Sequence, residues 1–135
     1  MDKISLDKDI KVFCVTATSF PMGVLAAHQQ LHTLLPDTEG RRFFGISYGN
    51  PQGGITYKAA AEEMVSGEAE IYNYETFLIK KGKYLSKTLT DYQKDTSAIG
   101  STFQEMLQHP ELDKNGYCVE IYLSNKEVQC LVKLQ

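Results

Sequence analysis

Hydrophobic and polar residues alternate along several short stretches of this chain, which is the pattern of strands in a half-buried sheet. The alternation is clearest near the C-terminus, where Val119 and Ile121 point to one side of a predicted strand and Glu120 and Tyr122 to the other. A carboxylate in the middle of an apolar strand is costly unless a partner, a shifted pKa or a cationic ligand compensates for it. Glu120 is therefore the first candidate for a functional residue.

The same patterns divide the chain into six strands and two helices. The strands are predicted at residues 11–17, 42–48, 55–64, 74–88, 117–123 and 128–134. The fourth of them is interrupted at Lys81-Gly82. A first helix opens at residues 19–22 and is ended by residues 36–40, and a second helix covers 91–109. Residues 1–9 show no clear pattern and are predicted to be a short N-terminal lead-in.

Each predicted helix presents one apolar face to the rest of the domain. In the first helix, this face consists of Val24, His28, Leu31 and Leu35. In the second helix, it consists of Ile99, Phe103, Met106 and Leu107. Faces with this spacing predict two helices that pack on a sheet.

The order strand-helix-strand-strand occurs twice, in halves of about 10–66 and 70–135, with a joint near Gly67. This repetition predicts an α+β fold with approximate twofold symmetry. The sheet is expected to be antiparallel or mixed, with both helices on one face. A groove between the halves is then a natural place for a ligand.

Composition narrows the class of protein. At 135 residues, with 42% hydrophobic and 23% charged residues, the chain is expected to form one globular domain. Its net charge is −3 and its basic residues are scattered, which argues against direct nucleic-acid binding. No stretch approaches the roughly 20 apolar residues of a membrane span, and the polar N-terminus has no signal-peptide core. We therefore expect a cytoplasmic protein without a membrane partner.

Other chemical motifs are weak. His28 and His32 are spaced for a metal on one helix face, but no third ligand is evident, and a structural role is expected. The glycine-rich stretch 45–54 lacks the Gly-Lys-Ser/Thr of a phosphate loop and predicts a hairpin turn. Three cysteines without a CxxC spacing are predicted to be small buried residues: Cys14, Cys118 and Cys130. We expect neither a cofactor nor a metal.

Several segments together resemble one known family. They are Phe43-Phe-Gly-Ile-Ser-Tyr-Gly-Asn-Pro51, Ile55-Thr-Tyr-Lys-Ala-Ala60, Ile79-Lys-Lys-Gly-Lys-Tyr-Leu85 and Gly116-Tyr-Cys-Val-Glu-Ile-Tyr122, followed by 128–134. With them, residues 10–135 resemble the GyrI-like small-molecule-binding family, the effector-binding domain of bacterial multidrug-sensing transcription activators. The Gly-Lys-Tyr segment and the late Glu-x-Tyr strand are the more specific parts. The family uses the same double strand-helix-strand-strand order.

The resemblance implies a ligand pocket between the two halves. Its glutamate, which meets cationic or amphipathic ligands in the family, corresponds to Glu120, with Tyr122 as the Glu-x-Tyr partner. Tyr84 in the Gly-Lys-Tyr segment, and Tyr48 and Tyr57 in the first-hairpin motifs, are implied as further ligand-binding residues. The alternatives are that these tyrosines fill core or sheet surface, and that Glu120 faces solvent beside a lysine.

The function expected from this resemblance is a stand-alone domain that binds a small organic molecule and acts by sequestration or through a protein partner. Because the resemblance covers residues 10–135, we expect no room in these 135 residues for the DNA-binding domain of the activators. Two alternatives stay open. One is a small hydrolase of reactive xenobiotics that uses Glu120 as base or nucleophile, although the tryptophan of such family members is missing here. The other is a protein-interaction module such as a gyrase-binding inhibitor. No catalytic residue is assigned.

Overall fold

The computed structural model describes residues 1–35, 40–95 and 97–135. The strands of this part of the chain are β1 (Asp2–Leu6), β2 (Ile10–Thr16), β3 (Phe43–Gly49), β4 (Ile55–Glu62), β5 (Glu75–Ile79), β6 (Gly82–Thr90), β7 (Cys118–Tyr122) and β8 (Glu127–Lys133). The helices are α1 (Val24–Leu34), α2 (Glu68–Ile71) and α3 (Ser97–Met106), with a 3-10 turn at Tyr92–Lys94. None of these helices has the length and apolarity needed to cross a membrane.

All eight strands form one antiparallel sheet in the order β1-β6-β8-β7-β3-β4-β2-β5. Counted outward from the centre, β3-β4-β2 on one side correspond to β7-β8-β6 on the other. The outermost strands are exchanged, because β5 pairs with β2 of the first half and β1 pairs with β6 of the second. The α+β fold with twofold-related halves is therefore confirmed.

The connections between strands force the sheet to curl. Strands β1 and β2 are six positions apart in the sheet, a distance of about 29 Å if the sheet were flat. Three residues join Leu6 to Ile10, however, and they span at most about 15 Å. The two-residue link between Ile79 and Gly82 imposes the same closure on β5 and β6. The sheet consequently bends until its two edges approach each other.

Curling gives the sheet an interior face and a helix-covered face. The interior face buries a core that needs no helix, including Val12, Phe44, Ile46, Tyr84 and Leu131. On the other face, α1 packs over β2 and β4, while α3 packs over β6 and β8. Both predicted helices lie on this face, as expected. Phe103 and Met106 of α3 pack against Val132 there.

The structure has two more strands than the sequence pattern predicts, namely β1 and a separate β5. The predicted lead-in at residues 1–9 contains β1, whose partly buried Ile4 and Leu6 pack into the interior core. The predicted fourth strand at 74–88 is two strands, which the turn at Lys80-Lys81 sends to opposite sides of the sheet. The repeated unit is therefore strand-strand-helix-strand-strand. In each half, the strand absent from the prediction is the first of the unit, β1 or β5.

The helices also differ from the prediction in detail. α1 begins at Val24 instead of near Ser19, and residues 19–23 form turns ahead of it. The predicted helix at 91–109 is shorter, and its Leu107 is half exposed instead of buried. The predicted polar joint contains the short helix α2, with Ala69 buried. The predicted stop of the first helix at 36–39 lies outside the described residues.

Candidate functional site

The candidate site lies on the helix-covered face, where β4, β3 and β7 run side by side. Gly45 of β3 pairs with Glu120 of β7, and Ser47 pairs with Tyr57 of β4. A Cβ atom at Gly45 would lie 2.1 Å from Tyr57 Oη and 2.9 Å from Glu120 Oε1. The absence of a side chain at Gly45 therefore lets the Tyr57 hydroxyl pass over β3 and reach Glu120.

Glu120 is the acceptor at the centre of a small hydrogen-bond network. Tyr122 Oη donates a short hydrogen bond to Glu120 Oε1, and Tyr57 Oη lies 3.3 Å from the same oxygen. On the other side of Tyr57, His28 Nε2 is 2.8 Å from the phenol oxygen. Helix α1 supplies this imidazole, so the network joins the helix to the sheet.

Burial sets the ionisation of the whole network. It raises the pKa of the Glu120 carboxyl, and the hydrogen bonds from Tyr122 and Tyr57 oppose this rise. The pKa values of both tyrosines are raised, first by burial and then by the Glu120 charge. Burial, with a smaller effect of His32, lowers the pKa of His28 to about 4. At neutral pH the two phenols and the imidazole are therefore uncharged.

No cationic side chain among the described residues forms an ion pair with Glu120, whose exposure is only 8%. Lys58 is also buried, but it does form an ion pair, because its ammonium group lies 2.9 Å from Glu75. A buried charge without an opposite charge is unusual, because desolvation of the ion is not recovered. The carboxyl group of Glu120 thus has no opposite charge in the described part of the protein, which agrees with the rise of its pKa on burial.

Glu120 opens into a cavity of about 550 Å³ between α3, the segment before α1 and the sheet. Its walls are mostly apolar and include Phe20, Pro21 and Val24 on one side and Ile99, Phe103 and Leu107 on the other. Phe20 stacks on Tyr57 with ring centroids 5.9 Å apart. A cavity of this volume, with few polar groups, suits a small organic molecule.

The entrance of the cavity is apolar as well. Phe20, Ile55 and Leu107 line it, and each is nearly half exposed. Apolar side chains that stay exposed around a concavity favour ligands that are themselves apolar. The site therefore combines an apolar entrance with an acidic side chain at its floor.

Cys118 is part of the floor of this cavity, beside Glu120. Burial raises the pKa of its thiol to about 11. A negative charge on Glu120 raises this pKa further, and a hydrogen bond with Ser47 lowers it. Cys130 of β8, which pairs with Glu120 of β7, is fully buried, and burial raises its pKa to about 12. Both thiols therefore stay protonated and unreactive at neutral pH.

The structure brings together three of the five predicted ligand-binding residues, namely Glu120, Tyr57 and Tyr122. It does not bring Tyr84 to them. Tyr84 is fully buried on the interior face, and its hydroxyl donates to the Lys80 carbonyl oxygen at 2.6 Å. This fixes the β5–β6 turn, so the tyrosine of the Gly-Lys-Tyr segment has a structural position.

Tyr48 also lies on the interior face, because it pairs with Thr56 and alternates with Ser47, which points to the cavity. Its ring packs near Phe77, at the open end of the curled sheet, with centroids 6.3 Å apart. The four tyrosines implied by the resemblance therefore do not lie around one site. The rings near Glu120 are Tyr57, Tyr122 and Phe20.

Two site residues were missed by the sequence analysis. His28 was expected to be structural, and its position on the apolar face of α1 was the signal that it meets a polar partner inside. Phe20 was seen only as part of a helix start, and no sequence pattern marked it as a wall residue. The described residues contain no cluster of three or more His, Cys, Asp or Glu that could hold a metal ion.

The fold belongs to the class of curled antiparallel sheets with helices on one face, and solved structures share it. No family model and no curated protein matches the chain. An integron cassette protein from the mobile metagenome of Vibrio cholerae matches with a TM-score of 0.73 and 13% identity, over 99% of this chain and 95% of that one.

Two further solved structures are similar along nearly the whole chain. SAV2435, solved bound to tetraphenylphosphonium, matches with a TM-score of 0.68 and 14% identity, over 98% of this chain and 93% of that one. A hydrolase from Listeria innocua matches with a TM-score of 0.62 and 12% identity, over 99% and 90%. At such identities the likeness concerns the fold, which agrees with the fold implied by the GyrI-like resemblance.

Proposed function

We propose that this chain is a GyrI-like domain that binds lipophilic organic cations in the cavity between α3 and the segment before α1. The observation that carries the proposal is the buried Glu120 carboxylate, which has no cationic partner in the described protein and opens into an apolar cavity. An organic cation supplies the missing positive charge and has apolar groups that match the walls.

The rings around Glu120 support the same ligand class. Phe20, Tyr57 and Tyr122 lie beside the carboxylate, and aromatic faces attract cations through their quadrupoles. A cation stabilises the ionised form of Glu120, whereas a neutral ligand supplies no charge that does so. SAV2435, whose fold is similar, is bound to tetraphenylphosphonium, which is a lipophilic cation.

A calorimetric titration with tetraphenylphosphonium tests this proposal. We expect binding to the wild-type protein, and a loss of about 1.5–3 kcal/mol in binding free energy for Glu120→Gln, the usual contribution of a charged contact. Glu127→Gln is the matched control, because it removes the same charge from an exposed position on neighbouring β8. Equal affinities of wild type and Glu120→Gln would contradict the proposal.

A second variant separates the cavity from the charge. Gly100 of α3 lines the cavity, and a Cβ atom there would meet no atom within 4 Å. Gly100→Leu therefore fills part of the cavity while Glu120 stays in place. We expect weaker binding of tetraphenylphosphonium without loss of fold, since leucine favours a helix more than glycine does.

Hydrolysis of a small apolar electrophile is the second candidate function. The raised pKa of Glu120 beside two phenols is the arrangement of a general acid or base, and a Listeria innocua hydrolase has a similar fold. The test is time-dependent release of product from an aryl ester such as p-nitrophenyl acetate. Turnover that Glu120→Gln abolishes at unchanged stability would favour the enzyme over the binding domain.

A further inference from the structure

We infer that the preferred ligands of this cavity are protonated organic amines, whose N–H group donates to Glu120 Oε2, over quaternary cations that carry charge without a donor. This inference rests on the proposed function, and it specifies which organic cations the site selects. It is drawn from the arrangement of hydrogen bonds on the two oxygens of one carboxylate.

The two phenols both use the same oxygen. Tyr122 Oη donates to Glu120 Oε1, and Tyr57 Oη approaches that atom at 3.3 Å. Each phenol has one proton to give, so neither has a second donor for Oε2. No hydrogen bond from the described residues reaches Oε2.

Glu120 Oε2 is turned toward the cavity and is not sealed in the protein. Among the described residues, no side-chain oxygen or nitrogen is both fully buried and without a hydrogen-bond partner. Since Oε2 has no such partner, it keeps contact with the open volume that Glu120 lines. When Glu120 is ionised, Oε2 is thus an acceptor, largely removed from water, that faces the place where a ligand would sit.

The other polar side chains that line the cavity are Ser47, Ser97 and the exposed Gln104, and none of them forms a hydrogen bond with Glu120 in the described part of the chain. Ser47 forms its hydrogen bond with Cys118, and Ser97 Oγ donates to Asp95 at 2.5 Å. His28 lies on the far side of Tyr57 and contacts the phenol instead of the carboxylate. Oε2 is therefore left for a donor that the ligand brings.

A buried acceptor discriminates strongly between ligands that can and cannot donate to it. A ligand without a donor leaves Oε2 both desolvated and unpaired, whereas an ammonium N–H forms a charge-assisted hydrogen bond. The hydrophobic effect favours the quaternary cation instead, because this ligand has one more methyl group to bury. A preference for the amine would thus report the hydrogen bond and not apolar area.

The experiment compares two ligands that differ by the replacement of this N–H donor with a methyl group. They are N,N-dimethyl-1-naphthylmethylamine, which is protonated near neutral pH, and its N-methylated quaternary salt. Calorimetric titration of wild-type protein should show the amine binding at least about tenfold more tightly than the quaternary salt. The difference should collapse in Glu120→Gln, whose amide NH₂ replaces one acceptor, and should persist in Glu127→Gln.

The possible outcomes separate this inference from the proposed function. Equal affinities, or tighter binding of the quaternary salt, would overturn the inference while leaving cation binding intact if both ligands weaken in Glu120→Gln. Binding of tetraphenylphosphonium without binding of the amine would overturn it as well. Failure of all three cations to bind would overturn both proposals. Thermal unfolding of each variant shows that the fold is retained.

Discussion

Two tyrosines on opposite faces of the sheet are both buried, and they differ in the hydrogen-bond partners of their hydroxyl groups. Tyr57 is 2% exposed and Tyr84 is 0% exposed, and burial raises the pKa of both. Tyr84 donates to the Lys80 carbonyl oxygen and shares a 2.8 Å hydrogen bond with Tyr117 Oη. Tyr57 contacts Glu120, a carboxylate with a second oxygen open to a cavity.

This difference shows which observation identifies a site. Burial and a raised pKa occur on both faces, so they do not distinguish structure from function. On the interior face, the hydroxyl groups of Tyr84 and Tyr117 bond to each other and to the backbone of Lys80. These hydrogen bonds form a closed ring within the protein. On the helix-covered face, Glu120 Oε2 has no hydrogen-bond donor among the described residues, and it borders an apolar cavity. A ligand can use both the free oxygen and the cavity.

The buried charges of the two faces differ in the same way. Lys58 pairs with Ile46 of the interior face, and its ammonium group is held by Glu75 and Thr16 at 2.9 Å each. Glu120 is held by phenols alone. Lys58 therefore has its opposite charge within the protein, and Glu120 does not.

The largest expected effect comes from closing the space over β3. Gly45→Ala places a methyl group 2.1 Å from Tyr57 Oη, so Tyr57 has to move away from Glu120. We expect a loss of about 3 kcal/mol in unfolding free energy, the upper range for overpacking, together with loss of cation binding. Gly49→Ala on the same strand is the control, because nothing lies within 4 Å of its Cβ position. Similar urea denaturation midpoints for the two variants would show that the close contact is unimportant.

Acid should destabilise the protein through His28. Because its pKa is about 4 in the folded protein and 6.5 ordinarily, the fold favours the neutral imidazole. The stabilisation is complete above the ordinary pKa and is lost as pH falls toward 4, by at most about 3 kcal/mol. Urea unfolding of wild type and His28→Gln over this range measures it, and parallel pH profiles for the two proteins would contradict the prediction.

Glu120 should reduce stability while it serves binding. A raised folded-state pKa means that its contribution to stability is present below the ordinary value of 4.5 and is lost as pH rises through the folded value. Glu120→Gln stays neutral, so we expect it to be more stable than wild type by about 1 kcal/mol at mildly alkaline pH. The difference should vanish in acid. A variant that is less stable at every pH would instead indicate a structural role for Glu120.

Much of the fold could be predicted from periodicity, but the edges of the sheet could not. β7 alternates apolar Val119 and Ile121 with Glu120 and Tyr122, and β8 is rich in buried apolar residues, so both appear within one residue of the predicted bounds. β1 was missed because its buried residues, Ile4 and Leu6, are few and stand between charged ones. β5 was joined to β6 because the turn between them is only two residues long.

The site was partly predictable for a related reason. Alternation fixes which residues share a face within one strand, so Glu120 and Tyr122 were placed together from sequence alone. It does not fix the register between strands, which decides that Tyr57 joins them while Tyr48 and Tyr84 point the other way. The contact of Gly45 with Tyr57 and Glu120 likewise depends on pairing across three strands.

A crystal structure of the protein with tetraphenylphosphonium would test most directly whether the helix-covered face binds cations. We expect the cation in the cavity between α3 and the segment before α1, with its phosphorus near Glu120 and phenyl rings against Phe20 and Tyr57. A cation found instead at the open end of the interior face, beside Tyr48 and Tyr117, would contradict the proposed function. That result would assign ligand binding to the face where the Tyr84–Tyr117 hydroxyls and the Lys58 ammonium group already have protein partners.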